Sequence, residues 1–170
     1  IRIEEYRGRG YRLSNECDEE VINRVKEKMK EFHVKKNDIR EIIPCELTPK
    51  GGGSGAGRAF SQIHYGMEEF WQLFSSRQLL SLLTFVKVIN KSYSLFSFSE
   101  DANFRKAVKI CLSLSLNRLA DFNSSLCVLN SVGGRGVVHT FGRQALPMIW
   151  DFMETNPFKD EGATWIAGRN

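Results

Sequence analysis

Apolar residues recur at helical spacing along three stretches of the chain. In the first, Val21, Ile22, Val25, Met29 and Phe32 fall on one stripe, the three-and-four spacing that lines a single helix face. Ser14 or Asn15 stands ahead of it, where a side-chain oxygen can take up orphan backbone N–H groups. Glu16, Asp18, Glu19 and Glu20 crowd the first turns and Lys26, Lys28 and Lys30 the last, an order that suits the helix macrodipole. In the second stretch, Leu79, Leu82, Leu83, Val86, Ile89 and Tyr93 line one side and Leu80 and Phe85 widen it. The hydroxyls of Phe74-Ser75-Ser76-Arg77-Gln78 precede it as caps. The third carries Phe104, Val108, Cys111, Leu112, Leu116, Leu119 and Ala120 over most of its circumference, and Ser97 or Ser99 is placed to cap it. Faces so broad predict helices buried between neighbours, and the short Ser-rich link predicts that the second and third pack antiparallel.

Between and around these stretches the pattern is weaker. Ile1 to Leu13 reads as an extended entry strand, its Arg2, Arg7, Arg9 and Arg12 leaving a basic arm as the alternative. Asn37 to Thr48 reads as a short strand or ordered edge around Ile39, Ile42 and Ile43. Met67 to Phe74 reads as a short helix, Gly133 to Gly136 as a turn, and Val137 to Phe141 as a short β-branched strand. Ala145 to Glu154 reads as a further helix with Pro147 in its first turn, stopped by Asn156-Pro157. The fold class expected is mainly α, with two long packed helices and two short strands. It divides into an N-terminal segment over 1–49, a Gly-rich connector over 50–58, natural or engineered, and a helical core over 59–170, folded together as one domain.

Composition narrows the class without naming a function. The 170 residues are 42% hydrophobic and 26% charged, which fits one globular domain and excludes a disordered or fibrous chain. No run of 18 apolar residues occurs, so no membrane span is expected. Cys17, Cys45, Cys111 and Cys127 are widely and irregularly spaced, which reads as free thiols of a cytoplasmic protein rather than a metal site. The start on Ile1 and the close on Trp165 to Asn170 read as a piece of a longer protein. The net charge of +4 permits a nucleic-acid partner without requiring one.

The familiar catalytic patterns are missing from the residues. Gly51 to Gly57 is followed by Arg58-Ala59 rather than Lys-Ser/Thr, so it is no P-loop. Pro44 and Pro49 stand where a cofactor loop needs a strand. His33, His64 and His139 make no local metal motif, and no Gly-x-Ser-x-Gly elbow occurs. Charge is more informative. No carboxylate lies between Glu69 and Glu100 or between Asp121 and Asp151, while Arg77, Lys87, Lys91, Arg135 and Arg143 fall inside those windows. Cations without local carboxylates attract phosphate with less self-neutralisation. Two polar clusters stand out, Asn117-Arg118-Leu-Ala-Asp121-Phe-Asn123-Ser124-Ser125 and His139-Thr-Phe-Gly-Arg143-Gln144. In the first, Arg118 and Asp121 are spaced to pair, and Asn123, Ser124 and Ser125 to satisfy terminal carbonyls. In the second, Arg and Gln are forked donors suited to phosphate or base edges.

Three segments carry a family resemblance. Phe74-Ser-Ser-Arg77-Gln78-Leu-Leu-Ser-Leu-Leu-Thr-Phe85, Leu116-Asn-Arg-Leu-Ala-Asp121-Phe-Asn123-Ser-Ser-Leu-Cys127, and His139-Thr-Phe-Gly-Arg143-Gln-Ala-Leu-Pro147-Met-Ile-Trp150-Asp-Phe-Met-Glu-Thr-Asn156-Pro157-Phe158 resemble, in this order, a family of large prokaryotic adenine-specific DNA methylases that often carry a zinc-ribbon insertion. Tyr65-Gly66-Met67 and Tyr11-Arg12-Leu13 fit the same likeness. The resemblance implies a parent enzyme that uses S-adenosylmethionine to methylate adenine in DNA. It also implies an internal segment here, since the cofactor loop is missing and Asn156-Pro157-Phe158 is only a shortened relative of the Asp-Pro-Pro-Tyr motif that receives a flipped base. The segment is then expected to bind no cofactor by itself, to have no catalytic residue, and to support the rest of the methylase. Where it contacts DNA, the candidates are Arg77, Arg118, Asn123, His139, Arg143 and Gln144, with the arginines on phosphate and the amides nearer base edges. The alternative is a structural module without nucleic-acid contact, in which Trp71, Trp150 and Phe152 pack on the remainder of the parent and exposed apolar surface drives self-association.

Overall fold

The computed structural model describes residues 12–34, 43–51, 59–95, 101–129 and 136–158. Most of the entry strand read at Ile1 to Leu13, the start of the edge segment at Asn37, most of the Gly-rich connector, the caps at Ser97 and Ser99 and most of the Gly133 turn lie outside those residues. Helix α1 spans Glu16–Val34, and two 3-10 helices follow at Ser61–Tyr65 and Phe70–Leu73. Helices α2 (Ser76–Leu95) and α3 (Ala102–Asp121) precede strands β1 (Val128–Leu129) and β2 (Val137–Val138). The strands pair antiparallel, Val128 opposite Val138 and Leu129 opposite Val137. The described fold is mainly α with two short strands, and none of its helices is long and apolar enough to cross a membrane.

Side chains terminate the elements at their N-terminal ends. At α1, Asp18 N–H donates to Asn15 Oδ1 at 3.1 Å while Asn15 N–H donates to Asp18 Oδ2 at 3.0 Å. At α2 the same reciprocity joins Ser75 Oγ, 3.2 Å from Gln78 N, and Gln78 Oε1, 2.8 Å from Ser75 N. Glu69 and Gln72 repeat it at the second 3-10 helix. Each box satisfies two backbone donors that the first turn leaves orphaned. Helix α3 is capped by Asp101, which accepts from Asn103 N–H at 2.8 Å. An ionised carboxylate there also meets the positive end of the dipole.

Packing joins the helices through core clusters that share one side chain. Met29 on α1 is buried with Ile43, Leu79 and Leu83. Leu82 and Phe85 of α2 are buried with Leu119 of α3. Leu73, Leu126 and Leu146 form a third cluster beneath the loops. Phe74 packs against all three. The first half of α2 meets Leu116 and Leu119 in the last turns of α3, so the two long helices run antiparallel as their patterns predict.

The strand read over Val137 to Phe141 is reduced to Val137–Val138, and two segments read as helices depart from the sequence pattern. The helix read over Met67 to Phe74 is reduced to the 3-10 turn Phe70–Leu73, because Thr48 takes the preceding backbone. Thr48 N–H donates to Glu68 O at 2.7 Å, Phe70 N–H donates to Glu46 O at 3.0 Å, and Leu47 bridges Glu69. The helix read over Ala145 to Glu154 is absent, and that segment is irregular. Its backbone groups find tertiary partners instead. Leu146 N–H donates to Ala59 O at 2.6 Å and Met153 N–H to Cys127 O at 2.8 Å. Met148 N–H donates to Ser61 Oγ at 2.8 Å and Thr155 N–H to Asn123 Oδ1 at 3.0 Å. Pro147 brings no donor of its own, so lacing along the domain satisfies more of the chain than a short helix would. Asn156-Pro157 therefore stops no helix, and Asn156 Oδ1 accepts from Phe158 N–H at 3.0 Å in a local turn.

Candidate functional site

The end of the bundle where α2 begins and α3 finishes is held by hydrogen bonds rather than by apolar contact. Asp121, the last residue of α3, is its organiser. Its carbonyl oxygen accepts from Thr140 N at 2.8 Å, Thr140 Oγ1 at 2.7 Å and Cys127 Sγ at 3.4 Å. Its carboxylate accepts from Phe141 N at 2.8 Å and lies 2.8 Å from His139 Nδ1. A carboxylate is acceptor-only when ionised, which puts the imidazole proton on Nδ1. Since Thr140 donates to Asp121, Ser124 Oγ donates in turn to Thr140 Oγ1, 2.7 Å away. Ser124, Thr140 and Cys127 are buried, and a buried network stands only when its members are satisfied.

The same junction binds the start of α2. Gln78 Nε2 lies 3.5 Å from Asn123 Oδ1, which also accepts from Thr155 N. Ser125 N and Oγ both donate to Leu73 O, at 2.8 and 2.7 Å. Ser75 Oγ donates to Glu154 Oε1 at 2.6 Å, and Arg77 pairs with the other oxygen of that carboxylate. The hydroxyls and amides read from sequence as caps for α3 are cross-links between distant segments.

Against that frame the six sequence candidates separate. Asn123 is 2% exposed, and its amide is used inside the protein, so it is withdrawn from base-edge contact. Arg77 is exposed but ion-paired with Glu154. Arg118 does not pair with Asp121, whose carboxylate is taken by His139. Its guanidinium carbon instead sits 5.9 Å from the centre of the Phe122 ring, within cation–π range. The other aromatic contact of Phe122 is with His139, stacked at 5.2 Å and 16°. A Cβ on Gly142 would lie 2.7 Å from His139 Nε2, so the loop backbone closes on the ring and only glycine admits that approach. Arg143 and Gln144 follow directly, both exposed. Arg118, His139, Arg143 and Gln144 are thereby gathered around one loop. Phe122 and Gly142 were missed in the sequence. Their signal was only an aromatic between two polar residues and a glycine after Phe141.

Chemically the arrangement offers donors to an anion rather than a nucleophile to an electrophile. Among the described residues, no hydroxyl or thiol is hydrogen-bonded to the His139 ring, and no group of three or more His, Cys, Asp or Glu could hold a metal ion. Cys17, Cys45 and Cys111 are exposed free thiols. No family model, curated protein or solved structure matches the chain.

Proposed function

We propose that the chain is a helical, non-catalytic segment of a cytoplasmic, S-adenosylmethionine-dependent adenine-specific DNA methyltransferase. In this reading the Asp121 junction presents Arg118, His139, Arg143 and Gln144 to the DNA backbone. One observation carries it. The three stretches that resemble the methylase family are the ones whose side chains bond to one another, through Gln78 and Asn123, Asp121 and His139, Ser124 and Thr140, Ser75 and Glu154. A motif set that converges on a single junction is better explained by one shared task than by three separate ones. The cofactor and the base-flipping pocket belong to the remainder of the parent enzyme.

The experiment is fluorescence anisotropy of a labelled adenine-containing oligonucleotide, duplex and single-stranded, titrated with the chain at low ionic strength, beside a methyl-transfer assay. Binding without methyl transfer is expected. Flat anisotropy on both oligonucleotides removes the DNA contact, and methyl transfer by the purified chain removes the non-catalytic assignment.

A second reading, a structural module that touches only protein, is favoured by Trp150, which is 78% exposed with its ring edge-on to Tyr65 at 5.6 Å. Loss of DNA binding together with association through Trp150 would select it.

A further inference from the structure

Of the four donors gathered at the Asp121 junction, only His139 belongs to the residue type whose charge changes near neutrality. Its two ring nitrogens stand in different surroundings. Nδ1 lies 2.8 Å from Asp121 Oδ2, and its proton is donated to that carboxylate whether the ring is neutral or charged. Nε2 has no hydrogen-bond partner among the described residues, and the side chain is 43% exposed. The ring is also held in place. Phe122 stacks on it at 5.2 Å, and the Gly142 backbone comes so close that an added Cβ would sit 2.7 Å from Nε2 and 3.0 Å from Cε1. One nitrogen is anchored, and the other is left open at a fixed place in the loop.

The charge state of that open nitrogen decides what it can hold. In a neutral ring Nε2 carries a lone pair, which meets a phosphate oxygen as acceptor against acceptor, and the Asp121 carboxylate adds its negative charge alongside. Uptake of a proton turns Nε2 into a donor and balances Asp121. A single event then changes both hydrogen bonding and charge in favour of an anion. The other charged and titratable groups around the ring do not duplicate this. Arg118, 5.9 Å from the centre of the Phe122 ring, and Arg143, which follows Gly142, carry guanidinium groups that stay cationic throughout. Cys127 is buried, its Sγ directed at the Asp121 carbonyl and at Thr140 Oγ1.

We propose that His139 is a pH-operated phosphate clamp, in which protonation at Nε2 adds a donor and a positive charge to the Asp121 junction and tightens its hold on the DNA backbone. This role rests on the DNA reading and deepens it. Arg118 and Arg143 supply the part of the binding that pH leaves alone, and His139 the part that pH sets.

The test is fluorescence anisotropy of a labelled duplex over a series of salt concentrations, at about pH 8 and about pH 5.5, with the full chain and with His139→Gln. The wild type is expected to bind more tightly at the lower pH, with a slope of log K against log salt steeper by about 0.9, the share of one phosphate contact. His139→Gln is expected to give one slope at both pH values. NMR of the wild type supplies a measurement free of any substitution, since the His139 ring protons should shift on addition of duplex at the lower pH and less at the higher. Equal wild-type slopes at the two pH values, a pH effect that survives in His139→Gln, or ring protons untouched by duplex at the lower pH overturns the clamp and leaves the DNA reading standing. Absence of binding at both pH values overturns the two together.

Discussion

Asn123 shows how burial changes a polar residue's role. Its amide oxygen serves both Gln78 and the Thr155 N–H, so Asn123→Ala would strand two donors inside the protein. Leaving buried groups unsatisfied costs about 1–3 kcal/mol, and urea denaturation should register a loss in that range. DNA affinity, measured where the variant is folded, should keep its salt dependence, since the residue reaches no phosphate. Gly142 makes the complementary case. A methyl group there collides with the His139 ring, and the histidine must leave Phe122 or Asp121 to make room. Gly142→Ala is expected to shift the His139 resonances in NMR while costing little in stability, because the ring is partly exposed and can swing outward.

At the level of elements, Phe74 stands between the three core clusters. Phe74→Ala removes contacts from all of them and should cost about 3 kcal/mol or more in chemical denaturation, a larger loss than truncation of a side chain in one cluster. The start of α1 carries a pH signature. Arg12 holds the Asp18 carboxyl far below its ordinary value of 3.8, first by hydrogen bonding, with the Asn15 N–H adding to it. A depressed folded-state pKa means that this contribution is complete above 3.8 and is lost as pH falls below it. Helicity followed by circular dichroism into acid should fall in the wild type, and Asp18→Asn should flatten the Asp18 part of that fall. The helices were legible because their signals are local. The Asn15 and Ser75 caps and the stripes of α1 and α2 are written within a few residues of each element. The segment from Ala145 to Glu154 was not legible, since its partners Ala59, Cys127 and Asn123 are remote in sequence and outbid a helical pattern containing Pro147. For the same reason the polar clusters were visible as clusters, but the switch of Asp121 from Arg118 to His139 was not. That choice is made by a loop which arrives only after β1 and β2.

On the scale of the whole molecule, a bundle with a net charge of +4 sets Arg118, Arg143 and Gln144 around the Asp121 junction and leaves Phe104, Ile110 and Leu114 exposed along α3. We propose that Arg118 and Arg143 meet phosphate from that junction. It is tested most directly by the slope of log K against log salt for duplex DNA, in the wild type and in Arg118→Ala with Arg143→Ala. Each phosphate contact releases counterions and contributes about 0.9 to that slope. A wild-type slope of about −2 to −4 is expected, reduced by about 2 in the double variant, with an unchanged thermal melt. An identical slope in the two proteins, or no binding by the wild type at low salt, would contradict it.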